Sequence, residues 1–399
     1  MMKISLFGYG NTTKAVAKKS LHVTFYDDKC KKPFRDENGF LVKPSSMFEA
    51  NYSDVEVTSP GIPPNNPLIK KAKNLMSDYD FFAKDFPFSI WISGTNGKTT
   101  TTQMMQHLLK DKGSLAGGNI GTAVAELDKK ANIWILETSS FTLHYTNIAK
   151  PNIYVLLPIS PDHLSWHTDM KGYTDAKLKP LSFMQEGEVA IVPKEFSHVE
   201  TKAYKIVYNS YEDLAKKFDI DISKVKFKGA FLTDALLAMS VDKILFDRTN
   251  YSKINSFEVE PHRQEEIIDK KNRLWVNDTK ATNIDATIIA LKNYKESFIH
   301  LIVGGDDKGV CLEELFEFLK TLHVKIYAIG SNKQKLINLA QKYNIQNQLC
   351  KSLEDAIEQI DKNLTKNSVA LLSPAAASLD EFKSYAHRGD VFKTKISTL

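Results

Sequence analysis

Short apolar runs, each ending in a polar or glycine-rich segment, recur along the chain. Near the N-terminus, residues 3–8, 22–26 and 54–58 each predict a buried strand. Apolar residues at helical spacing follow several runs, as they do at 104–109. The alternation of strands and helices predicts an α/β fold built on parallel sheets.

The same pattern continues towards the C-terminus, where further strands are predicted at 132–136, 152–157, 273–276, 300–303, 324–329 and 368–372. Because 399 residues exceed one typical core, two or three domains are expected, and boundaries near Pro87 and Phe257 divide the chain into three. These are a small Rossmann-like N-terminal domain (1–87), a central parallel-sheet domain (88–256) and a Rossmann-like C-terminal domain (257–399).

Composition narrows the class of protein. Hydrophobic residues make up 42% and charged residues 25% of the chain, as is usual for globular proteins. The net charge of +5 is too small to indicate nucleic-acid binding, although it favours anionic small molecules. Three widely spaced cysteines indicate free thiols, and the N-terminus has no apolar segment typical of a signal peptide or membrane span. We therefore expect a cytoplasmic protein.

The most informative motif follows the apolar run at 90–92 and reads Gly94-Thr95-Asn96-Gly97-Lys98-Thr99-Thr100. A strand, a glycine-rich loop and a helix make a phosphate-binding loop, in which backbone N–H groups and the lysine bind phosphate and a hydroxyl reaches Mg²⁺. Ile92 occupies the place of the usual first glycine, so the loop is short. The alternative is a tight turn with an exposed lysine, which the flanking strand and helix disfavour. The central domain is therefore predicted to be of the P-loop ATPase type.

Two polar groups lie near the next predicted strand. Glu137 follows the run at 132–136, where a magnesium ligand belongs in a phosphate-loop protein. The alternative is an ordinary acid at a helix N-terminus. Asn119 lies in a glycine-rich turn at 116–121 and is the one amide side chain there.

His163 follows the run at 152–157, and Lys177 lies further along in a helical pattern. Taken alone, His163 is more often a hydrogen-bonded core histidine and Lys177 an exposed lysine. His163 and His167 are four residues apart and could form a zinc pair, but no third ligand has the motif spacing.

Two turns in the first domain lie at the ends of predicted strands. Gly8-Tyr9-Gly10-Asn11-Thr12 is similar to the first turn of a dinucleotide-binding unit, but Thr13 replaces the third glycine, so an ordinary βα turn is an equal alternative. Asp27 and Asp28 end the second predicted strand, at the position of a ribose contact. Ser59-Pro60-Gly61 is a rigid turn after the third.

In the third domain, His262 and Arg263 lie side by side before the strand at 273–276. The strands there lead into polar segments at 277–283, 304–309, 330–332 and 373–380. Open α/β sheets bind ligands at the carboxyl ends of their strands. Four polar segments at corresponding strand ends therefore predict a ligand crevice.

Together these motifs resemble the Mur ligases, the ATP-dependent amide-forming enzymes of peptidoglycan precursor synthesis. The resemblance extends over all three domains and is carried by Lys177 and by segments 94–100, 118–121, 137–140, 162–164 and 261–263. Within the family, segments 277–283, 304–308 and 373–382 are similar to the enzymes that add D-glutamate. The family usually has an Asn-x-x-Asn pair near adenine, where this chain has Phe231-Leu232-Thr233-Asp234.

The resemblance implies a reaction in which ATP activates UDP-N-acetylmuramoyl-L-alanine as an acyl phosphate and D-glutamate is added. It implies three catalytic residues, Lys98, His163 and Lys177. It implies two Mg²⁺ ions, one held by Thr99 and Glu137 and the other by His163 and an N6-carboxylated Lys177. The implied ATP contacts are Gly94, Thr95, Asn96, Gly97, Lys98, Thr99, Thr100, Asn119, His262, Arg263 and Asp278.

The remaining implied contacts belong to the other two substrates. For the UDP-sugar they are Gly10, Asn11, Thr12, Asp27, Asp28, Ser59, Gly61, Asn119 and His163. For D-glutamate they are Lys308, Thr282, Ser378, Leu379 and Tyr385. We further expect a monomer that binds neither nucleic acid nor membrane.

Three alternative functions are weighed against this one. Another ligase of the same fold could take a different amino acid or a folate, although a folate enzyme would not need the first domain. A regulatory protein with an inactive nucleotide site is the second. A phosphate-loop GTPase or kinase is the third, and it lacks support because no guanine-reading Asn-Lys-x-Asp motif occurs.

Overall fold

The computed structural model describes residues 2–307 and 309–399. The chain divides into two compact units, Met1–Phe257 and Glu258–Leu399. Across the described residues there are three six-stranded sheets, two in the first unit and one in the second. Among the described helices, none has both the length and the apolar content needed to cross a bilayer.

The first sheet has the strand order β3-β4-β2-β1-β5-β6 and is parallel except for the short β3–β4 hairpin. Its strands are β1 (Ile4–Phe7), β2 (Val23–Asp27), β3 (Phe34–Arg35), β4 (Leu41–Pro44), β5 (Val55–Thr58) and β6 (Leu75–Met76). Its helices are α1 (Asn11–Lys18), α2 (Pro67–Lys71) and α3 (Asp78–Phe81). Every residue of the central strand β1 is buried, as expected of a parallel strand covered on both faces.

The second sheet is parallel throughout, in the order β12-β11-β10-β7-β9-β8. Its strands are β7 (Phe88–Ser93), β8 (Ser114–Gly118), β9 (Ile133–Glu137), β10 (Ile153–Leu156), β11 (Val189–Pro193) and β12 (Tyr204–Tyr208). Its helices are α4 (Lys98–Leu109), α5 (Ser140–Tyr145), α6 (Leu164–His167), α7 (Met170–Phe183), α8 (Tyr211–Phe218), α9 (Gly229–Phe246) and α10 (Tyr251–Asn255). The phosphate loop leaves the inner strand β7, between β10 and β9.

The first two sheets share an apolar interior, which makes them one compact unit. The rings of Tyr79 and Trp91 pack with centroids 5.0 Å apart, and the rings of Phe86 and Trp134 pack at the same distance. Tyr79 and Phe86 come from the segment that joins the sheets, so this segment is a packed part of the core.

The third sheet has the order β13-β14-β18-β15-β16-β17, with only the β13–β14 pair antiparallel. Its strands are β13 (Glu265–Ile268), β14 (Leu274–Asn277), β15 (Phe298–Gly304), β16 (Val324–Ile329), β17 (Gln346–Leu349) and β18 (Ser368–Leu372). Its helices are α11 (Ile284–Asn293), α12 (Glu313–Leu319), α13 (Lys333–Lys342), α14 (Leu353–Asp361) and α15 (Tyr385–Ser397).

The predicted α/β class with parallel sheets is confirmed, and the predicted strands at 324–329 and 368–372 match β16 and β18. One assignment needs correction. Residues 116–118, predicted to open a glycine-rich turn, belong to β8, because they pair in register with the buried strand β9.

Candidate active site

The phosphate loop joins β7 to α4, and two glycines give it its shape. Gly94 has a φ of 137° and Gly97 a φ of 84°, which are conformations that residues with a Cβ rarely adopt. Gly97 is the residue before the first turn of α4, whose N-terminal N–H groups and dipole favour a phosphate. The Lys98 Nζ donates to the carbonyl oxygen of Thr95 at 2.7 Å, so the lysine folds over its own loop.

Substitution of Gly94 tests this geometry. A Cβ on Gly94 would lie 2.5 Å from the Leu157 Cβ, whereas a Cβ on Gly187, also at positive φ, would meet nothing within 4 Å. We expect Gly94→Ala to raise the KM for ATP by at least about tenfold, because collision adds to backbone strain. Gly187→Ala introduces the backbone strain without the collision, so it should leave the KM for ATP unchanged. Equal KM values for the two variants would contradict the role given to Gly94.

Glu137 ends β9 beside the phosphate loop. Its Oε2 accepts a hydrogen bond from the Thr99 Oγ1 at 2.7 Å, and its Oε1 accepts one from the Asn119 Nδ2 at 2.8 Å. Only 2% of Glu137 is exposed. A buried carboxylate, a hydroxyl and an amide are thus held together at the loop. The carboxylate of Glu137 and the hydroxyl of Thr99 supply oxygen ligands of the kind that Mg²⁺ prefers. These residues fit a magnesium ion.

Lys177 also contacts the phosphate loop. Its Nζ donates to the Gly94 carbonyl oxygen at 2.7 Å and lies 4.7 Å from the centre of the Tyr173 ring. Burial, and next the positive charge of Lys98, hold the pKa of this amine well below its usual value, against the opposing charges of Asp162 and Glu137. The structure therefore places Lys177 near Lys98 and Glu137 and buries it, so the exposed-lysine alternative is wrong.

His163 is half-exposed and has a φ of 53°. Its Nε2 lies 3.4 Å from the Asp162 Oδ2, and its ring packs against Phe141 with centroids 4.7 Å apart. The His163 ring also lies 6.3 Å from the Tyr173 ring, and the Lys177 Nζ lies 4.7 Å from the centre of the same Tyr173 ring. His163 and Lys177 thus share Tyr173 as a neighbour, and the core-histidine alternative is wrong because His163 is not buried.

In the first sheet, the turn after β1 is held by side chains. The Thr13 hydroxyl, at the position of the missing glycine, donates to the Gly8 carbonyl oxygen at 2.6 Å. The Asp27 Oδ2 accepts the Tyr9 N–H at 2.7 Å, and the Asp28 Oδ2 accepts the Asn66 Nδ2 at 2.8 Å. Gly10, Asn11 and Thr12 lie in this turn and the start of α1, and Ser59 and Gly61 lie in the turn after β5. The structure brings these residues to the carboxyl ends of β1, β2 and β5.

The sequence pattern gave no signal for two side chains that reach the turn after β5. The Tyr145 hydroxyl donates to the Ile62 carbonyl oxygen, and the Trp166 Nε1 donates to the Gly61 carbonyl oxygen. The sequence drew attention to a third residue, Asp234, only because it lies where the family usually has an Asn-x-x-Asn pair. Asp234 accepts a hydrogen bond from the Thr101 hydroxyl at 3.0 Å and lies against Gly97. Asp234 therefore contacts the phosphate loop.

In the second unit, His262 has a φ of 70° and its Nδ1 lies 2.9 Å from the Asn277 Nδ2. Asp278 follows Asn277, accepts the Ser373 hydroxyl at 2.8 Å and accepts the Gln264 N–H at 3.2 Å. Burial raises the pKa of Asp278 to about 7, and the charge of Arg263 opposes the rise. His262, Arg263 and Asp278 thus form one group at the carboxyl end of β14.

The loops after β14, β15 and β18 also meet, through the buried Arg388 of α15. Its guanidinium donates to the Thr279 hydroxyl at 2.8 Å and to the carbonyl oxygens of Thr279 (3.1 Å), Ala376 (3.2 Å) and Gly304 (3.4 Å). Burial lowers the pKa of Arg388 to about 10. One side chain therefore ties the main chain of three loops together.

The candidate D-glutamate residues belong to these loops and to the start of α15. Ser378 is buried, Tyr385 is half-buried, and Thr282 and Leu379 are exposed. The Lys280 Nζ lies 3.9 Å from the centre of the Tyr385 ring. Lys308 lies outside the described residues.

Comparisons with known proteins identify the family of the chain. Residues 92–241 match the family model of the Mur ligase middle domain. The chain is 53% identical to the UDP-N-acetylmuramoylalanine--D-glutamate ligase of Campylobacter jejuni subsp. jejuni serotype O:23/36 (strain 81-176), with 100% of both chains covered. It is 46% identical to the ligase of the same name from Helicobacter pylori (strain ATCC 700392 / 26695), with 98% of this chain and 99% of the relative covered.

Among solved structures, the MurF ligase of Thermotoga maritima in complex with ADP superposes with a TM-score of 0.60 at 17% identity, covering 94% of each chain. Folylpolyglutamate synthase of Mycobacterium tuberculosis, complexed with ADP and AMPPCP, gives a TM-score of 0.56 at 14% identity, covering 79% of this chain and 93% of the other. At such identities the likeness shows the fold alone.

The chain belongs to the Mur ligase family, within which its full-length relatives are the UDP-N-acetylmuramoylalanine--D-glutamate ligases. The resemblance drawn from the motifs is therefore confirmed over the whole chain.

Proposed function

We propose that this protein joins D-glutamate to UDP-N-acetylmuramoyl-L-alanine at the cost of ATP, in the synthesis of peptidoglycan precursors. The observation that carries the proposal is the convergence of two groups on the phosphate loop. Glu137 accepts a hydrogen bond from Thr99, and the buried Lys177 amine donates to Gly94. The names of the full-length relatives support the same activity.

Forming an amide in water requires an activated carboxyl group. In the proposed reaction, an oxygen of the alanyl carboxylate attacks the γ-phosphorus of ATP, and ADP leaves. The D-glutamate amine then attacks the acyl carbon, and phosphate leaves from the tetrahedral intermediate. The products are the amide, ADP, phosphate and one proton.

Most of the reacting groups are anions, so the protein contributes alignment and charge neutralisation. The Lys98 Nζ, which donates to the Thr95 carbonyl oxygen, would exchange that bond for a phosphate oxygen. The N–H groups at the start of α4 would bind the same phosphates. We also assign nucleotide contacts to His262, Arg263 and Asp278. Asn119 is assigned to the nucleotide as well, because its Nδ2 donates to Glu137 beside the phosphate loop.

We propose two Mg²⁺ positions, as the family resemblance implies. Thr99 and Glu137 would hold one ion, and His163 with an N6-carboxylated Lys177 would hold the other. Magnesium bound there supplies positive charge to the phosphate oxygens.

The environment of Lys177 supports its N6-carboxylation. Its lowered pKa keeps a larger share of the amine neutral at physiological pH, and a neutral amine attacks CO₂. The reaction forms an N–C bond, releases a proton and leaves a carboxylate. A cation at this place could not ligate a metal, whereas a carboxylate can.

The proposal also assigns the parts of the chain. Residues 1–87 would bind the UDP-sugar, residues 88–256 ATP, and residues 257–399 the amino acid. Thr282, Lys308, Ser378, Leu379 and Tyr385 are proposed for D-glutamate. The protein is proposed to act as a monomer in the cytoplasm, and its free cysteines Cys30, Cys311 and Cys350 suit that reducing compartment.

Phosphate release tests the proposal directly. We expect release from ATP to require both UDP-N-acetylmuramoyl-L-alanine and D-glutamate when a panel of D- and L-amino acids is supplied. L-Glutamate serves as the matched control because it has the same charge and size. Release that is indifferent to D-glutamate, or that prefers meso-diaminopimelate or a folate, would instead support another ligase of the same fold.

A further inference from the structure

We propose that Tyr145 and Trp166 form a clamp that positions the 59–63 turn for the UDP-sugar and links this turn to His163. The inference rests on the proposed function, which assigns Ser59 and Gly61 to that substrate. It adds two positioning residues that touch the turn rather than the reacting atoms.

The clamp consists of two donors on separate elements of the second sheet. The Tyr145 hydroxyl, at the end of α5, donates to the Ile62 carbonyl oxygen at 2.6 Å. The Trp166 Nε1, in α6, donates to the Gly61 carbonyl oxygen at 3.3 Å. Two adjacent peptide groups of the first sheet are therefore held by side chains that the second sheet supplies.

The rest of the turn is held by its own main chain. The Ser59 N–H donates to the Phe7 carbonyl oxygen at 2.9 Å, and the Ile62 N–H donates to the Ser59 carbonyl oxygen at 3.1 Å. Pro60 has no N–H. Within the described residues, the N–H of the exposed Gly61 has no acceptor, so it is available to an anionic ligand.

The same clamp continues to His163 through aromatic contacts. The Trp166 ring lies 4.6 Å from the Phe141 ring, and the Phe141 ring lies 4.7 Å from the His163 ring. His163 is also the residue directly before α6, which carries Trp166. A displacement of the 59–63 turn would therefore move the groups that fix the His163 ring.

Kinetics of Tyr145→Phe, Trp166→Phe and the double variant test the clamp. Tyr145→Phe removes only the hydroxyl, and Trp166→Phe replaces the indole with a smaller aromatic ring that has no N–H. We expect the KM for the UDP-sugar to rise about fivefold in each single variant and more than tenfold in the double variant. The KM values for ATP and D-glutamate should stay within about twofold. Tyr204→Phe, on the edge strand β12 and 73% exposed, is the matched control and should change none of them.

Fluorescence gives a second readout. Trp91, Trp134 and Trp275 are at most 1% exposed, whereas Trp166 is half-buried, so Trp166 is the tryptophan placed to report on the turn. Titration of UDP-N-acetylmuramoyl-L-alanine without ATP should change the emission of the natural protein. Trp166→Phe should abolish this change, and Tyr145→Phe should keep it with weaker half-saturation.

The outcomes separate the clamp from the proposed function. A merely structural role would lower the melting temperature of the variants without a selective rise in the KM for the UDP-sugar, and that result would overturn the clamp alone. An emission change that persists in Trp166→Phe would do the same. If the natural protein released phosphate from ATP in the presence of D-glutamate but bound no UDP-sugar in calorimetry, both the proposed function and the clamp would be refuted.

Discussion

Lys177→Ala is expected to lower kcat by at least about a thousandfold, because a carboxylated lysine would place negative charge where the reaction needs a metal ligand. The substitution also removes the donor to the Gly94 carbonyl oxygen, which lies in the phosphate loop. Alanine suits the interior of α7, so the fold should persist. Phosphate release at saturating substrates measures the loss, and a melting curve checks the fold.

Two controls make this result specific. Lys171 lies on the same helix with its side chain 82% exposed, and Lys171→Ala should retain full activity. Formate or acetate added to Lys177→Ala should restore part of the activity by supplying the missing carboxylate. An active Lys177→Ala enzyme would refute the catalytic assignment, whereas failure of every short carboxylic acid to rescue would count against the N6-carboxylation.

The second large effect is expected for Glu137→Gln. Glutamine keeps the volume and can still bond to Thr99 and Asn119, so the change isolates the charge of a carboxylate that is 2% exposed. We expect kcat to fall about a hundredfold and the Mg²⁺ concentration for half-maximal activity to rise about tenfold. A magnesium titration of phosphate release measures both quantities.

Glu195→Gln provides the matched control, since Glu195 is an exposed acid in the same unit. It should leave the magnesium titration unchanged. If Glu137→Gln lowered kcat without moving the magnesium midpoint, Glu137 would orient Thr99 and Asn119 rather than hold the ion.

The phosphate loop was predictable because its signals are local. The apolar run of β7, the loop glycines and the helical spacing of α4 follow one another directly in the sequence. Each of these signals therefore supports the interpretation of the others. The β3–β4 hairpin was missed for the opposite reason. Its first strand, Phe34–Arg35, is too short to show any periodicity.

The buried state of Lys177 was not predictable from its neighbours in sequence. Its Nζ bonds to a carbonyl oxygen 83 residues away, and no pattern within α7 reports such a partner. The Tyr145 and Trp166 contacts to the first sheet are of the same kind, since they span 83 and 105 residues. The resemblance to a family drew attention to Lys177, and it offered no such help for the two aromatic residues.

The buried guanidinium of Arg388 has a consequence for how amino-acid preference can change. It donates to the main-chain carbonyl oxygens of Thr279, Ala376 and Gly304, and these three bonds do not depend on which side chains the loops display. The backbone scaffold is thus independent of the side chains proposed to recognise D-glutamate. Evolution, or an engineer, could exchange those side chains for a new specificity while the scaffold stays the same.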